Sequence, residues 1–160
     1  MHASERTLNV ERTLRAYLNG LTVTGSPEFR WPRDPRKAPS TPWVRVSFDF
    51  PGGNEQGEMS GDKATQGMLS LALDLFWPRL EDVSSGNLDD PAKARDDLLA
   101  AFRYAKIDLD DYSADPTAPS TLSGHPLRFH EPPTFTPMDE DGPWWRTRVI
   151  ARGFWHFRHA

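Results

Sequence analysis

The sequence contains no cysteine among its 160 residues. This absence excludes disulfide bonds, thiolate metal ligands and a cysteine nucleophile, and it fits a reducing compartment without requiring one. A metal site would therefore depend on histidine and carboxylate ligands. His156 and His159 are three residues apart in a segment that alternates like a strand, so their side chains would point to opposite faces. We expect no bound metal and no cofactor.

The chain also lacks a large excess of either charge and any long apolar run. Its 19 basic and 23 acidic residues give a net charge of −4, which provides no general attraction to nucleic acid or anionic membranes. No apolar stretch approaches the roughly 20 residues that span a bilayer. The first residues carry charges where a signal peptide needs an apolar segment. The expectation is one domain over residues 1–160 without membrane contact.

The longest regular pattern is the alternating segment Gly67–Pro78. Because successive side chains of a strand point to opposite faces, this segment predicts a strand with one fully apolar face. The apolar face would carry Leu69, Leu71, Leu73, Leu75 and Trp77. The opposite face would carry Met68, Ser70, Ala72, Asp74 and Phe76. The leucine face requires a cover from other parts of the chain.

Two amphipathic helices and several further strands are predicted around this segment. The first helix covers Ser4–Leu18 with Ser4 as its N-cap, and the second begins at the Asp90 cap with Pro91 in its first position. Strands are predicted at Glu28–Trp31, Trp43–Phe50, Ile107–Tyr112, Leu127–Phe129, Thr134–Phe135 and Trp144–Phe157. This order predicts an α+β fold of two layers (α/β two-layer). The sheet would be mixed but mainly antiparallel, with two helices packed on one face.

The remaining segments are predicted to be irregular. Pro32–Pro42 and Ser113–Gly124 are rich in proline and are expected to form loops, and Arg79–Asp90 is expected to be a polar linker. Met138–Gly142 is predicted to be an acidic turn. Pro51–Gly61 contains four glycines and joins two strands, so we expect a long β-hairpin loop there.

Two histidines and two carboxylates are the residues that acid–base catalysis would use. A hydrolase would need His125 or His130 close to Asp139 or Asp141. The histidines lie in a segment interrupted by proline, and the carboxylates lie beside Gly142, so structural or solvated roles are favoured for all four. No phosphate-binding loop and no nucleophile-elbow motif is present.

The last strand carries a row of arginines on one face. Because side chains of a strand alternate between its two faces, Arg146, Arg148 and Arg152 lie on one face. Trp144 and Phe154 lie on that same face. One interpretation is a solvent-facing row that pairs with acids of a neighbouring strand. The other is a polar subunit interface or a basic lining that faces DNA, because arginine with tryptophan is typical of interface anchors.

With these elements in place, the chain resembles the tail-terminator (tail-completion) proteins of long-tailed bacteriophages, of the minor-tail-protein-U type. The likeness covers roughly residues 4–157 and depends on element order more than on individual side chains. It consists of an N-terminal helix that leads into Glu28–Trp31, the strand entry Pro42-Trp43-Val44-Arg45-Val46 before a glycine-rich loop, a long strand that ends in Phe76-Trp77-Pro78, a helix that contains Ala94-Arg95-Asp96-Asp97-Leu98, and a terminal strand opened by Trp144-Trp145-Arg146.

The resemblance implies a structural virion protein without catalytic residues. Six copies would form a homo-hexameric ring that caps the tail tube, stops its polymerisation and offers the head's connector a surface. Duplex DNA would pass through the hole without sequence-specific binding. The implied partners are the tail tube protein and a head–tail connector or neck protein, and the implied location is the virion tail after assembly in the host cytoplasm. The candidate contact residues are Gly52, Gly53, Asn54, Glu55, Gln56, Gly57, Trp144, Arg146, Arg148 and Arg152.

Three alternatives remain open at this point. The first is another head–tail connector or neck protein of similar fold. The second is a module that binds a small ligand on the tryptophan-rich sheet face. The third is the hydrolase described above. Oligomeric form separates them most simply, because only the terminator requires a ring.

Overall fold

A computed structural model describes residues 4, 6–50, 64–79 and 88–158 of the chain. The predicted hairpin loop Pro51–Gly61 and most of the predicted linker Arg79–Asp90 lie outside these residues. Within the described residues, no helix is long and apolar enough to cross a membrane.

The described residues contain two helices and eight strands, which confirms a mixed α+β fold. The helices are α1 (Thr7–Asn19) and α2 (Asp89–Phe102). The strands are β1 (Glu28–Arg30), β2 (Trp43–Asp49), β3 (Ala64–Pro78), β4 (Lys106–Asp111), β5 (Ser120–Arg128), β6 (Thr134–Phe135), β7 (Asp139–Asp141) and β8 (Trp144–Arg158).

All eight strands belong to one curled sheet that is mostly antiparallel. Its main order is β1-β2-β3-β8-β5-β4, and β6 and β7 also pair with β8. Only β1 and β2 run parallel among the described pairs. The long strands β3 and β8 pair along their whole length, from Ala64↔Arg158 to Pro78↔Trp144. These two strands therefore form the backbone of the sheet, and the shorter strands are arranged on either side of them.

The predicted leucine face of β3 is buried. Leu69, Leu71, Leu73 and Leu75 lie in one hydrophobic core with apolar side chains from both helices. Helix α1 contributes Val10, Leu14 and Leu18, and helix α2 contributes Ala94, Leu98 and Phe102. The spacing of four residues places each set on one side of its helix, as the sequence pattern predicts.

Polar contacts connect the helices to the rest of the fold. The Tyr17 hydroxyl of α1 donates to the Ala101 carbonyl oxygen of α2 at 2.5 Å. The buried Thr13 hydroxyl accepts the Asp110 backbone N–H at 3.0 Å, and the Asn9 side-chain oxygen accepts the Tyr112 N–H at 3.0 Å. Helix α1 therefore binds the backbone of strand β4, which lies at one end of the main strand order.

Several predicted boundaries are wrong. Helix α1 begins at Thr7 with Arg6 as its N-cap, so Ser4 is not the cap; the Ser4 carbonyl oxygen instead accepts the Trp155 indole N–H at 2.9 Å. Helix α2 begins at Asp89 after Leu88, with Asp90 inside its first turn rather than at the N-cap position. The carboxylates of that first turn still lie where the helix dipole favours negative charge.

Two segments predicted to be irregular contain strand. Strand β5 covers Ser120–Arg128, so it includes the end of the predicted loop Ser113–Gly124. The predicted acidic turn Met138–Gly142 contains β7, which pairs with Trp144–Arg146 of β8. In both cases, pairing with a neighbouring strand, β4 for β5 and β8 for β7, overrides a weak local preference.

A tryptophan lies against a glycine where β3 and β8 pair. Gly67 lies opposite Trp155 in the register, and a Cβ atom built on Gly67 would lie 2.3 Å from Cζ2 of the buried indole ring. The absent side chain is thus what allows the ring to cover the strand. This close approach fixes the position of the largest fully buried side chain of the core.

We predict that Gly67→Ala destabilises the protein by about 1–3 kcal/mol, the usual cost of overpacking a core. The added methyl group has to displace the Trp155 ring, which packs into the core on its other side. Urea denaturation monitored by tryptophan fluorescence measures the change. Gly20→Ala is the matched control, because its Cβ atom would lie at least 3.4 Å from its neighbours at a negative φ. Equal stability of the two variants would contradict the prediction.

Candidate functional site

A buried carboxylate lies on the sheet face opposite the leucines. Asp74 of β3 has an exposed fraction of 0%. In the register it lies between Arg45 of β2 and Arg148 of β8. Because directly opposed side chains on neighbouring strands lie within about 4.5–5.5 Å at their Cβ atoms, the pairing alone brings both arginines to the carboxylate.

Three arginines bind this carboxylate. Arg148 makes two contacts, Nε to Oδ1 at 2.7 Å and Nη2 to Oδ2 at 3.1 Å. Arg45 reaches Oδ2 through Nη2 at 3.1 Å, and Arg146 reaches Oδ1 through Nη2 at 3.4 Å. The paired contact from Arg148 is the bidentate geometry that gives arginine–carboxylate pairs their strength.

The arginines keep Asp74 ionised despite its burial. Burial acts to raise the pKa of Asp74, but the hydrogen bonds and charges of Arg148, Arg45 and Arg146 outweigh it and leave the pKa below its usual value. The same contact raises the pKa of Arg148. An ionised carboxylate that is surrounded in this way is poorly suited to accept a proton, so the cluster is suited to binding rather than to acid–base catalysis.

An aromatic cluster adjoins the arginines. The rings of Trp43 and Phe76 stack with centroids 4.3 Å apart, and Trp144 meets both edge-on. The guanidinium groups of Arg45 and Arg146 lie 5.3 and 5.5 Å from the Phe76 centroid. We name this patch the arginine–aromatic surface, and it consists of Trp43, Arg45, Asp74, Phe76, Trp144, Arg146 and Arg148.

A cavity of about 400 Å³ lies beside this surface, between β2 and the segment that follows β1. Trp43 and Arg45 belong to both the cavity wall and the arginine–aromatic surface, and Arg30 and Arg36 also line the cavity. Asp34 holds the segment in place, because its carboxylate accepts the Arg36 backbone N–H at 3.0 Å and binds its guanidinium at 2.6 Å. These hydrogen bonds hold the pKa of Asp34 well below its usual range.

The structure brings together three of the predicted contact residues. Trp144, Arg146 and Arg148 belong to the arginine–aromatic surface, and the pairing of arginines with an acid of a neighbouring strand is present as one interpretation predicted. Arg152 is exposed further along β8, opposite Ser70, and makes no ion pair among the described residues. The other six predicted residues, Gly52, Gly53, Asn54, Glu55, Gln56 and Gly57, lie outside the described residues.

The residues of the hydrolase alternative are not brought together. His130 packs against Phe154 and His125 Nδ1 lies 3.1 Å from the His156 carbonyl oxygen, whereas Asp139 and Asp141 pair with the start of β8. Eight residues of strand separate Arg146, the partner of Asp139, from Phe154, which corresponds to about 26 Å at 3.3 Å per residue. Within the described residues, no group of three or more histidines and carboxylates could hold a metal ion.

Asp74 and Arg45 were not among the predicted contact residues. The available signal is that Asp74 is the only charged residue in Gly67–Pro78. An acid within an otherwise apolar central strand is seldom buried without a partner. The alternation pattern places Arg45 and Arg148 on strand faces, but it does not give the register that brings them to Asp74.

Comparisons with known proteins add a likeness of fold. No protein-family model matches the sequence, and no curated protein matches it. Three chains of known structure match. One of these, whose name states no function, has 11% sequence identity and a TM-score of 0.53, and the alignment covers 94% of this chain and 97% of that chain. At this level of identity, the likeness shows a shared fold and carries nothing about activity.

We predict that Asp74→Asn destabilises the protein by about 3 kcal/mol at pH 7. This value is at the lower end of the 3–5 kcal/mol typical for breaking a buried ion pair, because the arginines are partly exposed and water screens their charges. The cost arises because three neighbouring guanidinium groups lose their shared counter-charge. Arg152→Gln is the control, since Arg152 lies on the same strand outside the cluster, and a change within about 0.5 kcal/mol is expected.

The loss of stability caused by Asp74→Asn should depend on pH. The folded-state pKa of Asp74 is below its unfolded value of about 3.9, so its contribution is present above that pH and is lost as the pH falls through the folded-state pKa. The stability difference between wild type and Asp74→Asn should therefore shrink below about pH 4. Chemical denaturation from pH 7 to pH 2.5 measures it, and a difference that stays constant or grows toward acid pH would contradict the assignment.

Proposed function

We propose that this protein is a structural virion protein, a tail terminator that forms a six-membered ring on the end of a bacteriophage tail tube. In this role it stops tube polymerisation and provides the surface for head–tail joining. The proposal depends on the resemblance in element order described above. The observation that supports it most is the arginine–aromatic surface, because a ring requires subunit contacts on an exposed face of the protomer.

The composition of this surface suits a protein interface. Tryptophan, phenylalanine and arginine are the residues enriched at interface cores and hot spots. The arginines are between 34% and 46% exposed, so a partner can reach them. Their shared contact with Asp74 restricts their conformations before a partner binds, which lowers the entropic cost of association.

We further propose that both helices pack against the leucine face of the sheet. Their buried residues belong to the same core as Leu69, Leu71, Leu73 and Leu75, which supports this arrangement. With both helices on that side, the arginine–aromatic surface would remain available to a neighbouring subunit, to the tail tube protein or to a head–tail connector protein.

Duplex DNA would pass through the ring without tight binding. Non-specific affinity for DNA comes mainly from cationic side chains that neutralise phosphates. Asp74 already offsets part of the charge of Arg45, Arg146 and Arg148, and the whole chain carries a net charge of −4. Such a protein would not hold DNA back during ejection. Its location would be the virion tail, after assembly in the host cytoplasm.

The cavity supports a second candidate, a module that binds a small ligand. Its volume of about 400 Å³ falls in the range of ligand pockets, and its wall contains the aromatic rings of Trp31 and Trp43 with several arginines. This candidate needs no oligomer. A different neck or connector protein of similar fold would share the ring, but it would bind the head rather than the tube.

We predict that the purified protein forms six-fold rings with a central hole, alone or after addition of tail tubes. Negative-stain electron microscopy shows the symmetry, and light scattering across a concentration series gives the mass. Rings seated on the tube ends would distinguish a terminator from a connector that binds the head. A closed two-fold dimer at every concentration, with or without tubes, would overturn the ring. Quenching of tryptophan fluorescence by small anions in that dimer would then favour the ligand-binding module.

A further inference from the structure

Four strands of the sheet, β1, β4, β6 and β7, each pair with a single neighbouring strand, and their outer edges differ. Thr13 of helix α1 accepts the Asp110 N–H of strand β4, and Asn9 accepts the N–H of Tyr112, the residue that follows the strand. No other described strand pairs with the outer edges of β1, β6 and β7. Of these, β6 has only two residues, whereas β1 and β7 have three each. An uncovered strand edge presents unpaired N–H and C=O groups and is a ready site for another chain.

The edge at β1 carries a net positive charge, although Glu28 of β1 itself forms ion pairs with Arg30 at 3.2 Å and with Arg36 at 3.5 Å. The cavity described above opens beside it, and Arg30, Arg33, Arg36 and Arg45 line that cavity with Asp34 as the single acid. Arg30 is 9% exposed, and its Nε atom is buried without a hydrogen-bond partner among the described residues. The Trp43 indole N–H is also buried without a hydrogen-bond partner among the described residues. Unpaired buried donors are costly, and a carboxylate that entered the cavity would offer them acceptors.

The edge at β7 is acidic. The strand consists of Asp139, Glu140 and Asp141, all exposed. Glu140 contacts Arg79 at 3.4 Å and Asp141 contacts Arg146 at 3.4 Å. Asp139 makes no ion pair among the residues that the structure describes. One edge thus presents surplus negative charge, whereas the other presents surplus positive charge.

The two edges lie at the same end of the sheet, on opposite sides of the paired strands β2, β3 and β8. One continuous row of paired residues crosses the sheet between them, from Glu28 through Trp43, Phe76 and Arg146 to Asp139. The row spans four inter-strand spacings, or about 19 Å at 4.8 Å each. A contact between unlike edges is heterologous, and a heterologous contact closes a ring when the rotation between subunits allows it.

We propose that the acidic strand β7 of one copy of this chain docks against the basic cavity beside β1 of the next copy. The inference rests on the proposed ring and names its subunit contact. Opposite charge selects this pairing and disfavours contacts between like edges, since two β7 edges or two β1 edges would repel. The occupant of the cavity is therefore a segment of a second protomer and not a small molecule.

Cysteine cross-linking tests the contact directly, because the natural chain has no cysteine. Ala38 is exposed and lines the cavity, so Ala38→Cys and Asp139→Cys place one thiol on each side of the proposed contact. A mixture of the two single variants should form a covalent heterodimer under mild oxidation. The double variant should form a ladder of species that ends at the ring. Asp108→Cys on strand β4 is the matched control, and it should not cross-link to Ala38→Cys.

Charge reversal gives an independent measure. Lys37 is exposed beside the cavity, and Lys37→Glu should raise the concentration needed for assembly about ten-fold, the factor that corresponds to losing one favourable charged contact of ordinary strength. Lys93→Glu on helix α2 makes the same change in net charge away from the contact, and it should leave assembly unchanged. Combining Lys37→Glu with Asp139→Lys should recover assembly.

The outcomes separate this contact from the proposed function. Suppose that Lys37→Glu and Asp139→Lys each form rings as readily as the wild type, and that Ala38→Cys does not cross-link to Asp139→Cys. These results would overturn the contact and leave the terminator proposal standing. Cross-links of Ala38→Cys to itself would indicate a two-fold contact and overturn the heterologous arrangement. Wild type that stays monomeric with and without tail tubes would overturn both.

Discussion

The burial of one carboxylate constrains the face of the sheet that is proposed to bind partners. Asp74 is fully buried, and an isolated buried charge would cost several kcal/mol or else become protonated. Three arginines from two neighbouring strands remove that penalty. Because these arginines reach Asp74 only in one strand register, the ion cluster favours that register over one-residue slips, which would exchange the two faces of the sheet.

The same cluster determines the properties of the surface around it. Phe76 is buried although it lies on the same face as Asp74, because Trp43, Trp144 and two guanidinium groups cover its ring. The result is a surface with ordered cationic side chains and aromatic rings, whose charge is partly neutralised from within. Such a surface suits a protein partner better than a phosphate backbone, and this preference agrees with the proposed ring, through which DNA would slide.

The sequence predicts the long elements well and the short ones poorly. Strand β3 and helices α1 and α2 follow from hydrophobic periodicity, because each buries one regular face in a shared core. Strand β7 does not, because three consecutive acids resemble a turn. These acids form a strand by pairing with the start of β8 across the turn at Gly142 and Pro143. The helix starts at Thr7 and Asp89 were missed because the capping residues, Arg6 and Leu88, are not preferred N-cap types.

The site was predicted in part for a related reason. Alternation along β8 places Trp144, Arg146 and Arg148 on one face, and the structure confirms that grouping. The partner Asp74 lies 72 residues before Arg146, and no local pattern gives the register between two strands so far apart. The sequence therefore predicts a row of arginines on one strand face. It does not predict that they gather around Asp74, because that depends on pairing between distant strands.

The most direct test of this account is an NMR titration of the Asp74 carboxyl carbon in the folded protein. We expect a midpoint clearly below the value of about 3.9 for an unperturbed aspartate, because three guanidinium groups stabilise the ionised form in its buried position. The midpoint should rise in Arg148→Gln, which removes the bidentate partner. A wild-type midpoint at or above about 4 would mean that burial outweighs the arginines, and it would contradict the claim that this ion cluster organises the sheet face.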